Sequence, residues 1–200
     1  MRTAEATKKR ILEAALAEFS TYGVAGARVD RIAQTAGCNK NLIYIYFEDK
    51  ETLFTTVLQK HLVRIHEEQP FTPDDLPGYA AKVFDWAMTN PDLMRLLAWS
   101  ALEQQAKGHA ARVEALEGKV AALTEAQDAG RVGTAFPPDF LLIAVMSLAT
   151  AWSAASPFGP SVNPGAVERP AAPREGLIEA VRLLAGAGKR KRTQGINKGR

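Results

Sequence analysis

From Ile32 to Phe54 the chain reads IAQTAGCNKNLIYIYFEDKETLF, and how these side chains divide between inside and outside decides the fold. Val29, Ile32, Ala33 and Ala36 share one face of a short helix over 29–36, which Gly37 ends. Glycine suits that stop because a left-handed backbone costs it nothing. A second short helix begins after Asn39, whose side chain can accept from the first free amides. Two short helices joined by a tight turn containing glycine have the form of a helix-turn-helix. Ala33 is small enough to let the second helix cross closely.

On the second helix, Lys40 to Phe47, spacing sorts the aromatics. Ile43 and Phe47 lie four apart and share the face that a core can bury. Lys40 with Tyr44, Asn41 with Ile45, and Leu42 with Tyr46 occupy the other faces and are expected to point outward. A helix sided in this way suits a major groove, where its first residues reach base edges and tyrosine hydroxyls reach phosphates. Arg28, Lys40 and Lys50 each stand at or beside a helix N-terminus, where the helix dipole disfavours a cation. Three such placements make sense if each N-terminus faces a phosphate, held by amides and cation together.

The same run, from the Ile-Ala at 32–33 through Ala-Gly, Tyr-x-Tyr-Phe and Lys-Glu-x-Leu-Phe, resembles the DNA-binding signature of TetR-type (tetracycline-repressor-like) regulators. With the first helix the resemblance covers residues 4–60. It implies a three-helix DNA-binding unit, a linking helix, a C-terminal domain for ligand binding and dimerisation, and regulation by a small molecule. By the resemblance Lys40, Asn41, Leu42, Tyr44, Ile45 and Tyr46 fall where family members contact DNA, and Lys50 where a lysine grips the backbone. Arg28 and Asn39 complete the candidate DNA-binding set. Three positions depart from the pattern. Cys38 stands where Val is usual, as a small core residue, and Asn41 replaces a frequent Gly. Ala27 and Arg28 occupy the place where a Thr often caps the second helix, which leaves Arg28 for a phosphate.

The rest of the chain also reads as helix. Ile11, Leu12, Ala15, Leu16 and Phe19 mark a helix over 4–22, and Asp49 caps another over 50–68. Further helices are predicted at 74–89, 91–106, 109–129, 137–156 and 174–187. No run alternates with period two, so the predicted class is all-α, an N-terminal three-helix unit with a C-terminal helical bundle. The expected organisation is a helix-turn-helix domain over 1–49 and a linking helix and bundle over 50–188. The joint lies near QPFTPDDLPG, with its three prolines and glycine.

Charge alone says little about the folded body. Residues 1–60 hold 9 Lys/Arg and 7 Asp/Glu, and residues 61–188 hold 10 and 15. The last twelve, KRKRTQGINKGR, hold 6 basic residues and no acid, so the pI of about 9.0 reflects this tail, which is expected to be disordered. One cysteine permits no internal disulfide and suits a reducing compartment, and no apolar leader opens the chain. A cytoplasmic location follows as the expectation. Residues 140–158 carry no formal charge and reach the length of a membrane span. Their Ala, Ser and Thr content and the lack of a flanking basic cluster favour a buried helix instead.

His61, His66 and His109 lack metal-ligand spacing, and the acidic pairs Glu67/Glu68 and Asp74/Asp75 read as solvated or capping. With no phosphate loop, G-x-S-x-G or H-E-x-x-H, neither an enzyme nor a cofactor or metal is expected. Phe84, Met88, Trp99, Leu102, Phe140 and Met146 are the candidate lining of an effector pocket, and the scarcity of charge among them points to an apolar ligand. Helices 137–156 and 174–187 show wide apolar faces suited to a homodimer. Together these readings describe a regulator, a repressor, released from a palindromic double-stranded DNA operator by a small apolar effector. The alternative is a small-molecule-binding helical protein that no longer reads DNA.

Overall fold

A computed structural model describes residues 2–68, 70–102 and 109–186, and over these the chain is all-α, with no strand. The N-terminal helices are α1 (Arg2–Gly26), α2 (Val29–Ala36), α3 (Lys40–Phe47) and α4 (Lys50–Glu68). A 3-10 turn at Pro73–Asp75 leads into α5 (Leu76–Thr89) and α6 (Pro91–Leu102). Beyond lie α7 (His109–Asp128), α8 (Pro138–Thr150), the single turn α9 (Gly159–Val162), a 3-10 turn at Pro164–Ala166, and α10 (Ala171–Gly186). The basic tail, the end of the predicted helix 91–106, and the side chains of His66 and His109 lie outside the described residues.

Two hydrophobic cores form. The first gathers Ile11, Ala15 and Phe19 of α1, Ile32 and Ala33 of α2, Ile43 and Phe47 of α3, and Leu53, Phe54 and Val57 of α4. Phe19 and Phe54 meet edge to face at 5.2 Å between ring centroids. This core also takes in Trp86 and Ala87 at the end of α5 and Leu93, Met94 and Leu96 of α6. The reading head is therefore built on α6 as well as on its own helices. The second core joins Leu76, Tyr79, Val83 and Phe84 of α5 to Leu123 and Ala126 of α7, Leu141, Leu142 and Val145 of α8, and Leu177 and Val181 of α10. Helix α5 thus contributes to both.

Local chemistry sets the boundaries. Gly23 leaves the helical course with φ 67° and ψ 179°, so the regular run of α1 stops where the sequence places its end, and a separate turn beyond the kink reaches Gly26. Asp49 accepts from the Thr52 amide at 2.6 Å and Asp75 from the Gly78 amide at 2.9 Å, capping α4 and α5. The predicted helix over 137–156 is shorter than expected, because the chain after Thr150 tightens into i→i−3 bonds from Ala151 and Ser153. Gly159 then crosses that end so closely that a Cβ there would lie 2.1 Å from the Ala151 carbonyl oxygen. Thirteen residues of α8 span only about 20 Å at 1.5 Å per residue. No helix among the described residues is long and apolar enough to cross a membrane.

Candidate nucleic-acid interface

Helix α2 ends at Gly37, with φ 62° and ψ 44°. There the Cys38 amide donates to the Ala33 carbonyl at 3.0 Å and the Gly37 amide to the Gln34 carbonyl at 3.1 Å, the paired bonds of a Schellman stop. Asn39 caps α3 by accepting from the Asn41 amide at 2.8 Å. The turn is thereby fixed by glycine geometry on one side and an amide side chain on the other. Cys38 packs, half-buried, against the first core.

Helix α3 is sided. Ile43 and Phe47 are buried, while Lys40, Asn41, Tyr44 and Ile45 are exposed, Tyr44 at 43% and Ile45 at 70%. Leu42 is half-buried. Tyr46 departs from the outward reading, since it packs against the first core with its ring 6.3 Å from Phe47 and the Lys8 ammonium 5.3 Å above it. The reason is α1, which lies over the end of α3 and covers a face that helical spacing alone leaves open. The two form part of an open hollow of about 630 Å³ lined also by Leu12, Thr56 and Lys60.

The three cations at helix starts have different surroundings. Arg28 is exposed, and its guanidinium, which only donates, leaves the first amides of α2 without a cap from the N-cap side chain. The Lys40 ammonium lies 2.9 Å from an Asp30 oxygen, and the hydrogen bond to that carboxylate holds its pKa above the ordinary lysine value. Lys50 donates to the Ala27 carbonyl at 3.3 Å and so ties the start of α4 to the corner between α1 and α2.

Spacing did not reveal Glu18. It is buried on α1, and its Oε1 accepts from the backbone amide of Arg28 at 2.8 Å. Arg31 reaches the same carboxylate with Nε at 2.8 and 3.1 Å, bonds the Gly26 carbonyl at 3.1 Å, and lies 4.2 Å from the Tyr22 ring. Glu18 does for α2, from a neighbouring helix, what a glutamate in the first turn does in a capping box. The available signal was a carboxylate in an apolar stripe, four residues from Ala14 and three from Ala15.

The structure divides the six candidate pocket residues. Phe84, Met88 and Met146 belong to the second core. Trp99 turns towards the head, donating from Nε1 to the Ser20 carbonyl at 3.3 Å. Leu102 is exposed, and Phe140, also exposed, stacks on Phe136 at 5.3 Å. Apolar spacing marks a covered face without telling which neighbour covers it, and α6 is covered by α1 rather than by the bundle.

A helix-turn-helix with one face of its second helix offered to solvent, on an all-α body with a second core, is the arrangement of a DNA-binding transcriptional regulator. The chain belongs to the TetR family. Residues 11–57 match the family described as bacterial regulatory proteins, tetR family, and residues 75–182 match the tetracyclin repressor-like C-terminal domain. It is 40% identical over 159 residues to the HTH-type transcriptional repressor SCO4008 of Streptomyces coelicolor, covering 78% of this chain and 82% of that one. It is similar to the crystal structure of SCO4942 from Streptomyces coelicolor, described as a transcriptional regulator, with TM-score 0.77 and 35% identity over 88% of this chain and 96% of that one. The fold is shared with Bacillus subtilis FadR crystallised with stearoyl-CoA, at TM-score 0.62 and 18% identity over 88% of this chain and 97% of that one.

Proposed function

We propose that the protein is a cytoplasmic, homodimeric repressor of transcription that binds a palindromic operator and leaves it when a small molecule occupies the C-terminal bundle; no catalytic role enters this reading. The observation that carries the proposal is the sidedness of α3, with Ile43 and Phe47 buried and Lys40, Asn41, Tyr44 and Ile45 exposed directly after a capped helix-turn-helix corner. In this reading Lys40 and Asn41, at the start of α3, reach base edges, and Ile45 offers an apolar contact to a thymine methyl. Tyr44 and Arg28 hold phosphates, with the open amides of α2 assisting Arg28. Asn39 and Lys50 set the corner on which these groups stand, and Leu42 and Tyr46 close the rim towards the backbone.

A single short helix reads few base pairs, so two-fold symmetry is needed for a specific site. The exposed Phe140 and Ile143 on α8 and Leu183 on α10 provide an apolar face for the second copy. Release follows as a population shift, because an effector preferring a state with the heads misaligned weakens binding by that same preference. A hundredfold release requires roughly 2.7 kcal/mol of differential affinity. The repressor name of the 40% identical relative supports the direction of control. That a protein of this fold crystallised with stearoyl-CoA supports a small molecule as the effector.

The experiment is selection of bound sequences from a random duplex library at about 150 mM salt, where non-specific phosphate binding is weak. A palindrome with half-sites about one helical turn apart is expected. No enrichment from a folded, dimeric preparation would show that the head does not read sequence.

A further inference from the structure

Lys119 on α7 stands against the first turns of α5. Its ammonium donates to the Tyr79 hydroxyl oxygen at 2.8 Å and lies 5.3 Å from the Tyr79 ring centroid and 5.8 Å from that of Phe71. The two rings meet edge to face at 4.9 Å. Tyr79 is itself buried, and the acceptor within reach of its hydroxyl proton is the Met146 sulfur at 3.8 Å, a weak one. None of the ion pairs among the described residues includes Lys119. The acids of the adjacent 3-10 turn are engaged elsewhere, Asp74 with Arg131 at 2.6 Å and Asp75 with the Gly78 amide. Two donors therefore stand side by side at the edge of an apolar core, with the tyrosine oxygen itself and a thioether as the acceptors they reach. Such a set lacks an anion.

We infer that Lys119 and Tyr79 anchor the charged head of an amphipathic organic anion, a carboxylate or similar oxyanion, whose apolar body lies against Phe71, Met146 and Val120. The assignment rests on the reading of the C-terminal bundle as an effector domain, and it replaces the purely apolar effector expected from the sequence. Bound there, the anion accepts from the ammonium and from the tyrosine hydroxyl, which turns away from Met146. The rings of Phe71 and Tyr79 shield the pair from water, which strengthens both bonds.

The test uses the full-length protein without DNA and the fluorescent sulfonate 8-anilinonaphthalene-1-sulfonate as reporter, displaced by decanoate or by uncharged 1-decanol. Decanoate is expected to displace the reporter about tenfold or more better than decanol, the scale of a hydrogen bond to a charged group. Lys119→Met removes that preference, Lys119→Arg keeps most of it, and Tyr79→Phe, which preserves the buried ring, lowers it part-way. Equal displacement by the two probes, or an undiminished preference in both Lys119→Met and Tyr79→Phe, overturns the assignment. Operator selection with ligand-free protein separates the two readings. An operator without any carboxylate preference refutes the anchor alone. Carboxylate binding through Lys119 without an operator leaves the anchor standing and refutes the regulator.

Discussion

Glu18→Ala removes one carboxylate from α1 and leaves the backbone amide of Arg28, at the head of α2, without its acceptor. The side chain is 8% exposed, so water does not take its place freely, and the bond lost is a 2.8 Å contact to an ionised oxygen. Loss of a capping bond costs about 1 kcal/mol and up to about 2 when the acceptor is charged. The gap left beside Ala14 and Ala15 adds on the order of 0.5 kcal/mol, since only a short stem is removed. Nothing is added for the Arg31 arm, which solvent reaches and screens. The total of about 2 kcal/mol lowers the melting temperature of a chain of this size by roughly 4–8 °C.

Thermal unfolding by circular dichroism at one fixed protein concentration measures this, because dimerisation makes the midpoint depend on concentration. Glu18→Gln keeps both the shape and an acceptor oxygen and is expected to lose less than half as much. Operator affinity well below the melting point should also fall about tenfold in Glu18→Ala, since α2 sets the position of α3. A midpoint within about 1 °C of the parent, outside the 2–4 °C expected per kcal/mol, refutes the cap. Equal losses for Ala and Gln would assign the effect to charge rather than to the hydrogen bond.

Three further predictions address the neighbouring residues. Ile43→Ala deletes a fully buried side chain and should cost about 2–4 kcal/mol in urea unfolding, whereas Tyr44→Ala, one residue on, leaves stability unchanged and weakens operator binding about tenfold. Glu48 sits at φ 65° and ψ −60°, between an Asp49 amide and a Phe47 carbonyl 2.7 Å apart, a γ-turn that only glycine adopts without strain. Glu48→Gly should therefore raise stability by about 1 kcal/mol, and Glu48→Ala, which keeps the Cβ, should not. Trp99→Phe keeps a ring against α1 but loses the bond to the Ser20 carbonyl. Operator and effector affinities measured separately should change little, while the factor by which effector weakens operator binding falls about two- to tenfold.

The reading head was legible because its rules are local. A helix stop at Gly37, a cap at Asn39 and a four-residue spacing from Ile43 to Phe47 act within one or two turns, and the structure realises all three. Glu18 and Tyr46 were not legible, since the partners that define them lie on other helices, ten residues and more away for Glu18 and on α1 for Tyr46. The candidate pocket lining is divided between neighbours for the same reason on a larger scale. Phe84 and Trp99 both sit on apolar helix faces, yet one is enclosed by the bundle and the other meets α1, and nothing in their spacing distinguishes the two. Lys119 lies on a helix with no marked apolar stripe, so its placement beside Tyr79 is a tertiary fact.

The division of α5 between two cores bears directly on how an effector reaches the operator. Tyr79 and Phe84 on α5 belong to the bundle, while Trp86 and Ala87, one turn further on, belong to the head. A shift of α5 that accommodates a ligand therefore moves side chains of the first core, where α5 packs on α6 and α6 on α1. Packed cores respond to such shifts by switching between arrangements rather than by bending continuously. Trp99 satisfies its indole N–H on Ser20, but the buried Nε1 of Trp86 has no hydrogen-bond partner among the described residues. Two indoles therefore stand where bundle and head meet, Trp99 of α6 tied to Ser20 of α1 and Trp86 of α5 without a partner among these residues, so the Trp99 bond is a direct polar tie by which α6 holds α1.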